Sequence, residues 1–319
     1  MTIALWIIVG VYGAVVLLWV AATIWLRGFH GDEAMRIPPC PADEPNPGAP
    51  SLMVYIAAHN EGERITACLK RLMGQNYGNL HITVVNDRSD DETAECVTAL
   101  MKEEPRIDLI TIDLLPKGWI GKTHALARAC TGATSDYLLF VDCDCRLVPG
   151  AVAGVMNKVR EENLEFLSLW PRLDLASPAE RLLTPAISWL LGLWTILGSK
   201  GAADGSQVVL GNGQFMLFSR SAYERIGGHA AVRAELAEDI VMARKVEEQG
   251  LKRWAGWGKG LYSSTRSNDF RTAVNSTTRV VIGSLKTPWR VFASAHLVSG
   301  GLTTPIYLGV PALIWALLR

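Results

Sequence analysis

Between residues 51 and 142 the chain alternates short apolar runs with longer runs whose apolar positions recur every three or four residues. Four short runs predict β-strands, at 52–58, 81–87, 108–113 and 136–142. Three longer runs predict helices, at 61–73, 92–102 and 122–130. Strands that alternate with helices form βαβ units, so the sequence predicts the α/β class, with a mostly parallel sheet covered by helices on both faces.

Beyond residue 160 the pattern becomes mixed, although we assign 51–288 to one domain. Strands are predicted at 164–171, 207–219 and 251–257, and a helix at 237–248. Ligands bind outside the carboxyl ends of the strands in open parallel sheets. Polar clusters follow the first, second and fourth strands, which predicts one site along that edge, at 59–61, 86–87 and 142–144.

The first 50 residues are unlike the rest of the chain. Residues 3–26 form a run of 24 without a charge, and about 20 apolar residues suffice to cross a bilayer. We predict a transmembrane anchor at 1–26 rather than a signal peptide, because no basic region precedes the run. Arg27 and Arg36 follow it, which places the rest of the chain on the cytoplasmic side of the cell membrane. Residues 27–50 are proline-rich and predict an extended linker.

Two later segments are also too apolar for a surface in water. In 181–200 the small and polar positions fall on one narrow stripe of a helix, and the other faces are Leu, Ile and Trp. This pattern predicts an amphipathic helix in the membrane interface, with a helix packed inside the domain as the alternative. The segment 289–319 is broken by Pro305 and Pro311, so a kinked transmembrane span and a re-entrant hairpin are both open.

The composition of the chain bears on two questions: whether nucleic acid is a partner, and whether the cysteines are reduced. Lys+Arg and Asp+Glu both number 31, so net charge gives no reason to expect nucleic acid. Six cysteines are scattered through a domain predicted to be cytoplasmic. Reduced thiols are expected there, rather than a disulfide framework.

The fourth predicted strand ends in two aspartates, Asp142 and Asp144. If strand geometry continues past Val141, the two carboxylates share one face of the strand. Close carboxylates repel unless a cation lies between them, and oxygen ligands suit Mg²⁺ or Mn²⁺. A zinc site built from Cys143 and Cys145 lacks a second pair of ligands. A solvated acidic turn is the remaining alternative for this D-x-D motif.

The D-x-D motif is one of five polar segments that occur in a fixed order along the predicted scaffold. They are AAHNE (57–61), VVNDRSDDET (84–93), GWIGKTHAL (118–126), the D-x-D (142–144) and AED (237–239). Together they resemble the family 2 glycosyltransferases, which implies the GT-A nucleotide-sugar-binding fold from residue 51 to about residue 284. Two further segments, 167–186 and 219–240, look like the hopanoid-biosynthesis-associated branch and its membrane-bound, lipid-glycosylating relatives.

The resemblance implies a donor site for a nucleoside diphosphate sugar. Glu61 and Asp87 would contact the base and ribose, and Lys122 would lie near the diphosphate. Asp142 and Asp144 would hold the diphosphate through the metal ion. The alternative for Lys122 is a solvated lysine at a helix start.

The resemblance also implies a catalytic base, Asp239, which would deprotonate the acceptor hydroxyl. Outside that context, Glu238 and Asp239 are typical acidic residues of a helix's first turn. Arg279 would reach the diphosphate, or would be a surface or membrane-facing charge. It lies in NSTTRVV (275–281), where processive polysaccharide synthases carry Q/R-x-x-R-W, so a polymerase is disfavoured.

The sequence therefore predicts a membrane-bound, metal-dependent, inverting glycosyltransferase. It would move one sugar from a nucleoside diphosphate donor, with UDP favoured over GDP, to a membrane lipid of the hopanoid, carotenoid, sterol or glycerolipid type. Two alternatives are open. The acceptor could be a polyprenyl phosphate, or the protein could be a non-catalytic nucleotide-sugar-binding membrane subunit.

Overall fold

The structure is a computed structural model that describes residues 36–40, 48–175, 211–265 and 278. Within these residues, no helix combines the length and the apolar character needed to cross a bilayer. Several predictions fall outside the described residues: the anchor at 1–26, most of the linker at 27–50, the interfacial helix at 181–200, Arg279 and the segment 289–319.

The first half of the domain is a series of βαβ units, as predicted. Its elements are β1 (Leu52–Ala58), α1 (Gly62–Met73), β2 (Leu80–Asp87), α2 (Thr93–Met101), β3 (Ile107–Ile112), α3 (Gly121–Ala129) and β4 (Tyr137–Val141). Strand β1 pairs in parallel with both β2 and β4, and β2 pairs in parallel with β3. Each of these boundaries lies within one residue of the sequence prediction, because apolar periodicity and burial agree throughout this half.

The second half adds antiparallel pairing. Its elements are β5 (Cys145–Leu147), α4 (Ala151–Glu162), β6 (Phe166–Trp170), β7 (Arg172–Leu173), β8 (Phe215–Ser219), α5 (Arg220–Arg225), a 3-10 turn (His229–Val232), α6 (Glu238–Glu248), β9 (Arg253–Trp257) and β10 (Tyr262–Ser264). The main sheet has seven strands in the order β3-β2-β1-β4-β8-β6-β9, and β8 runs antiparallel to β4 and β6. A second sheet has the order β5-β10-β7.

The strand predicted at 207–219 is shorter than expected in its described part. Residues 211–214 form a turn, and β8 starts only at Phe215. Gly211 packs directly on α6, since a Cβ built there would lie 2.2 Å from the carbonyl oxygen of Asp239. The turn therefore brings the backbone of 211–214 against the start of α6, where a side chain would not fit.

The main sheet is buried on both faces, which fixes the strand ends rigidly. Val54, Ile56, Ile82 and Val84 have no exposed surface. On the other face, Phe140 of β4 packs against an aromatic group from α5 and the 3-10 turn. The polar residues that follow β1, β2 and β4 are therefore held at one edge of a well-packed sheet.

The short described segment 36–40 packs on this domain. Arg36 pairs with Trp257 at the open edge of β9. The amide of Cys40 donates to the carbonyl oxygen of Gly150 at 3.1 Å. Gly150 has a left-handed backbone (φ 78°), and a Cβ there would lie only 1.9 Å from the carbonyl oxygen of Cys40. This close approach therefore requires glycine at the start of α4.

Candidate active site

The D-x-D motif lies on a turn, which corrects the expectation of a continuing strand. Strand β4 ends at Val141, and the amide of Cys145 donates to the carbonyl oxygen of Asp142 at 3.1 Å. The chain therefore reverses between Asp142 and Asp144, and the two carboxylates contact different partners. The side chains of Cys143 and Cys145 are both buried.

Lys122, in the first turn of α3, joins three parts of the chain. Its Nζ lies 2.7 Å from Asp142 Oδ1 and 3.1 Å from Glu238 Oε1. It also donates to the carbonyl oxygen of Gly213 at 3.3 Å. We call Lys122, Asp142, Glu238 and Asp239 the Lys122 cluster. It brings together the carboxyl end of β4 and the first turns of α3 and α6.

Gly121 allows α3 to begin this close to the sheet. A Cβ at Gly121 would lie 2.3 Å from Asp87 Oδ2 and 3.0 Å from Arg88 Nη2. A larger residue would push the first turn of α3, and with it Lys122, away from the end of β2.

The charges of the Lys122 cluster support one another. Burial alone would lower the pKa of Lys122, but Asp142 and Glu238 outweigh it and hold the pKa well above its usual value. Burial would raise the pKa of Glu238, yet the Lys122 ammonium keeps it below its usual range. Burial raises the pKa of Asp142 to about 6, although Lys122 opposes the shift. The ammonium is therefore charged at neutral pH, beside carboxylates of unequal acidity.

Asp239 is the second residue of α6, and backbone amides fix its carboxylate. Oδ2 accepts from the amide of Gly213 at 2.8 Å, and Oδ1 accepts from the amide of Ile240 at 2.8 Å. Burial, together with the negative charge of Glu238, raises the pKa of Asp239 to about 6. A carboxylate with this pKa and a fixed orientation can accept a proton near neutral pH.

Among the described residues Asp144 makes no ion pair with Lys122. Two uncharged side chains from distant parts of the sequence hold its carboxylate, and the thiol of the adjacent Cys145 donates to Oδ1 at 3.6 Å. Gln214 Nε2 donates to Asp144 Oδ1 at 3.2 Å and to Oδ2 at 3.1 Å. Ser264 Oγ donates to Oδ2 at 2.9 Å and accepts from Gln214 Nε2 at 2.6 Å. We call Asp144, Gln214 and Ser264 the Asp144 triangle. It joins the turn after β4, the turn before β8 and the end of β10.

Glu61 and Asp87 form a second group, at the ends of β1 and β2. Asp87 is only 4% exposed, and its oxygens accept from Arg88 Nε at 2.8 Å and Nη2 at 3.0 Å. Glu61 pairs with Arg64 at 3.3 Å. In the described part of the chain, neither carboxylate is hydrogen-bonded or ion-paired to the Lys122 cluster.

The loops that carry these two residues are joined by hydrogen bonds. The amide of Asn60 donates to Ser89 Oγ at 3.1 Å, and the amide of Asp90 donates to Asn60 Oδ1 at 2.8 Å. The amide of Gly62, at the start of α1, donates to Asp91 Oδ2 at 3.0 Å. The two strand ends therefore form one hydrogen-bonded rim beside the Lys122 cluster.

Sequence reasoning missed three of these residues. The sequence predicts Glu238 only as a helix-start charge, and it predicts no role for Gln214 or Ser264. Glu238 could have been identified from the sequence, because it is adjacent to the predicted base Asp239. Nothing local marks Gln214 or Ser264, because their relation to Asp144 depends on chain segments far apart in sequence.

The residues present can hold only part of the coordination sphere of a metal ion. No group of three or more His, Cys, Asp or Glu side chains among the described residues is arranged to bind one. Asp142 and Asp144 offer carboxylate oxygens, which suit Mg²⁺ or Mn²⁺. The hydrogen-bond donors of Gln214 and Ser264 orient the Asp144 carboxylate without neutralising its negative charge. The arrangement fits a divalent cation whose remaining ligands come from a bound phosphate.

Comparison with curated proteins identifies several similar sequences. A 4,4'-diaponeurosporenoate glycosyltransferase of Staphylococcus haemolyticus is 25% identical over 271 residues, which is 83% of this chain and 66% of that protein. A poly-beta-1,6-N-acetyl-D-glucosamine synthase of Staphylococcus aureus is 26% identical over 199 residues, 62% of this chain and 46% of that protein. The chain thus spans less than two thirds of the length of these relatives.

Solved structures share the fold. A mannosyltransferase from Pyrobaculum calidifontis in complex with GDP-Man and Mn²⁺ has a TM-score of 0.59 at 18% identity, covering 96% of this chain and 87% of that one. Glucosyl-3-phosphoglycerate synthase from Mycobacterium tuberculosis in complex with Mn²⁺, UDP and glucosyl-3-phosphoglycerate has a TM-score of 0.51 at 16% identity, covering 76% and 80%. These likenesses confirm the predicted α/β fold of the GT-A type.

The sequence model described as Glycosyl transferase family 2 matches residues 53–227, which is more than half of the chain. This span contains β1 except for its first residue, β2 to β4, Lys122 and the D-x-D motif. The predicted family resemblance is confirmed, and the chain belongs to glycosyltransferase family 2.

Proposed function

We propose that this protein is a membrane-bound, metal-dependent, inverting glycosyltransferase that moves one sugar from a nucleoside diphosphate donor to a membrane lipid. The observation that carries the proposal is the Lys122 cluster. It sets a charged ammonium between Asp142 and Glu238 at 2.7 and 3.1 Å, next to the fixed carboxylate of Asp239. An anion-binding group and a candidate base thus lie at the carboxyl edge of the sheet, where such folds bind ligands.

Lys122 binds the donor's diphosphate in this proposal, because its ammonium is already held at that edge by carboxylates. Asp142 and Asp144 would hold a Mg²⁺ or Mn²⁺ ion. When bound, that ion supplies positive charge to stabilise the leaving diphosphate. The solved neighbours named above contain Mn²⁺ together with a nucleotide, which supports this assignment.

Asp239 accepts the proton of the acceptor hydroxyl. Two backbone amides, of Gly213 and Ile240, fix its carboxylate, and its pKa of about 6 leaves it ionised at neutral pH. The hydroxyl oxygen then attacks the anomeric carbon as the bond to the diphosphate breaks. A single displacement of this kind inverts the anomeric centre.

The nucleoside lies along the rim formed by the ends of β1 and β2. Glu61 is the more accessible contact, since its side chain is 23% exposed. Asp87 is less exposed, but each of its oxygens accepts one hydrogen bond from Arg88, and the remaining lone pairs can accept from a ribose hydroxyl. We propose a UDP-sugar as donor ahead of a GDP-sugar, and Arg279 as a further contact to the diphosphate.

The membrane assignment has support from sequence and from one relative. The segments 1–26, 181–200 and 289–319 have the apolar character described above. The Staphylococcus haemolyticus relative is named for a diaponeurosporenoate acceptor, which is a carotenoid. We propose a location at the cell membrane, with the active site on the cytoplasmic side and a hydrophobic lipid as acceptor.

The test uses the full-length chain in lipid nanodiscs made with total membrane lipid of the source organism. Labelled UDP-glucose, UDP-galactose, UDP-N-acetylglucosamine and GDP-mannose are offered separately, with Mn²⁺ or with EDTA, and the lipids are then extracted. We expect label in the lipid phase with one donor only, and none with EDTA. Label on polyprenyl phosphate would favour the alternative acceptor. Donor binding without transfer, even after different lipids are added, would favour a non-catalytic subunit.

A further inference from the structure

The two aspartates of the D-x-D motif are held in opposite ways. Asp142 is paired with a cation, the Lys122 ammonium. Asp144 has no ion pair in the described part of the chain, and its hydrogen bonds come from three uncharged groups: an amide, a hydroxyl and the thiol of the adjacent Cys145. An ammonium partly cancels the charge of a carboxylate, whereas neutral donors orient it and leave most of its charge available.

Gln214 is placed to act on the whole D-x-D turn. Its side chain donates to Asp144, and its carbonyl oxygen accepts from the amide of Asp142 at 3.4 Å. Its own amide donates to Asn212 Oδ1 at 3.0 Å, which fixes the turn before β8. Gln214 is only 6% exposed, so its side chain is held in place by packing as well.

Ser264 closes the Asp144 triangle from the other sheet. It is fully buried at the end of β10, opposite Cys145 of β5. Its hydroxyl hydrogen is directed to Asp144, because its oxygen accepts from Gln214. Gln214 Oε1 has no hydrogen-bond partner in the described residues. The opposite orientation of the amide would aim this oxygen at a carboxylate, so the donor orientation toward Asp144 is the favourable one.

We propose that Gln214 and Ser264 are positioning residues that hold the Asp144 carboxylate in the orientation in which it takes the divalent cation. This inference rests on the metal-dependent transfer proposed above and adds to it two residues from outside the motif. Hydrogen-bond partners of metal ligands typically change metal affinity by about 10- to 100-fold when they are removed.

The test measures metal binding directly in the full-length chain. Mn²⁺ is titrated in the presence of UDP, and in parallel GDP, and free Mn²⁺ is followed by its electron paramagnetic resonance signal. Gln214→Met keeps the side-chain volume but removes the donor, so we expect Mn²⁺ affinity to fall at least about tenfold. Ser264→Ala is also expected to lower the Mn²⁺ affinity. Nucleotide affinity in EDTA should be unchanged in both variants.

Ser168→Ala is the matched control. Ser168 is also fully buried, and its hydroxyl donates to the carbonyl oxygen of Phe215 at 3.1 Å and accepts from the amide of Asn212 at 2.9 Å. It therefore supports the same segment as Gln214 without touching Asp144. Mn²⁺ affinity of this variant should stay within about twofold of the wild type, because no ligand is reoriented.

Kinetics separate positioning from general loosening of the site. In a positioning role, excess Mn²⁺ restores kcat of Gln214→Met, and the defect appears in the Mn²⁺ concentration for half-maximal rate. A kcat that stays low at every Mn²⁺ concentration, or Mn²⁺ affinities of both variants equal to that of wild type, would overturn the inference. If Gln214→Met fails to fold, Ser264→Ala decides by the same titration. A wild-type protein that neither binds Mn²⁺ with nucleotide nor loses activity in EDTA would instead remove the metal from the proposed function.

Discussion

Lys122 Nζ lies 2.7 Å from Asp142 Oδ1, so the helix that follows β3 supplies the counter-charge for the turn that ends β4. The same ammonium reaches Glu238 at the start of α6. Two consecutive elements, α3 and β4, and the distant helix α6 thus meet at one positive charge. The site's electrostatics are set by the fold before any ligand arrives, which is the condition for preorganised stabilisation of a leaving group.

Replacing Lys122 with Met should lower donor turnover by about 100-fold or more, because a preorganised charge at the leaving group is lost. The measurement is the initial rate of sugar transfer at saturating donor and Mn²⁺. Lys117→Met is the control, since Lys117 is an exposed lysine in the loop before the same helix. A Lys122→Met enzyme as active as this control would rule out contact with the diphosphate.

Replacing Asp239 with Asn should reduce kcat by about 100- to 10,000-fold, which is the usual contribution of a general base. Affinity for the nucleotide should change little, because the bonds of this carboxylate run to the amides of Gly213 and Ile240 rather than to the donor rim. Calorimetry with UDP and Mn²⁺ gives that affinity. Full activity of Asp239→Asn would favour an acceptor that is already ionised, such as a polyprenyl phosphate.

The rate of transfer should fall as pH drops through about 6, the raised pKa of Asp239, because a protonated base cannot take up the acceptor's proton. Saturating Mn²⁺ should be present, so that Asp142 is ionised throughout. The charge of Glu238 contributes to the raised pKa, so Glu238→Gln should move this acid limb to lower pH. If the acid side of the pH–rate profile does not move in the variant, a different group controls it.

His229 should make the protein less stable in mild acid. Burial lowers its pKa to about 3, so the folded state holds it neutral, while the unfolded chain binds a proton below about pH 6.5. The stabilisation is therefore present above pH 6.5 and is lost as pH falls. Between pH 7 and 5 the loss should be about 2 kcal/mol of the free energy of unfolding.

Urea unfolding of His229→Phe provides the comparison for this effect. Phenylalanine keeps an aromatic ring against Phe140, which lies 4.6 Å from the imidazole centroid, but it cannot titrate. The difference in stability between the two proteins should shift by about 2 kcal/mol in favour of the variant over that pH interval. Parallel pH curves for the two proteins would mean that His229 does not carry the effect.

Three buried cysteines, one in α1 and two in the D-x-D turn, should be unreactive in the folded protein. Cys68, Cys143 and Cys145 are buried, and burial raises the pKa of each thiol above its usual value. A thiol that stays protonated is a poor nucleophile. Iodoacetamide labelling followed by mass spectrometry should modify these three only after denaturation. Fast labelling of Cys143 in the native state would show that its thiol is accessible to solvent.

The first half of the fold was predictable from sequence because its strands are short, apolar and separated by amphipathic helices. Helix α4 was missed, although Val152, Val155, Met156 and Val159 follow helical spacing and all are buried. The position of β8 in the sheet could not be predicted, because it pairs with β4 and β6, which lie far from it in the sequence.

The site was predictable as residue types but not as contacts. The ends of β1, β2 and β4 were correctly expected to converge on one edge. The prediction that Asp142 and Asp144 share one face of a strand was wrong, because the chain turns immediately after Val141. Gln214 and Ser264 reach Asp144 across 70 and 120 positions of sequence, which no local pattern reveals.

The packing of residues 36–40 on the domain sets the length of the tether to the proposed anchor. A free linker over 27–50 would reach about 80 Å at full extension. With Arg36 fixed at the edge of β9 and Cys40 at the start of α4, only residues 27–35 are left to bridge the gap. Nine residues extend at most about 30 Å. If residues 1–26 span the bilayer as proposed, this length would keep the domain within about 30 Å of the membrane surface, where a lipid acceptor would be met in two dimensions rather than in bulk solution.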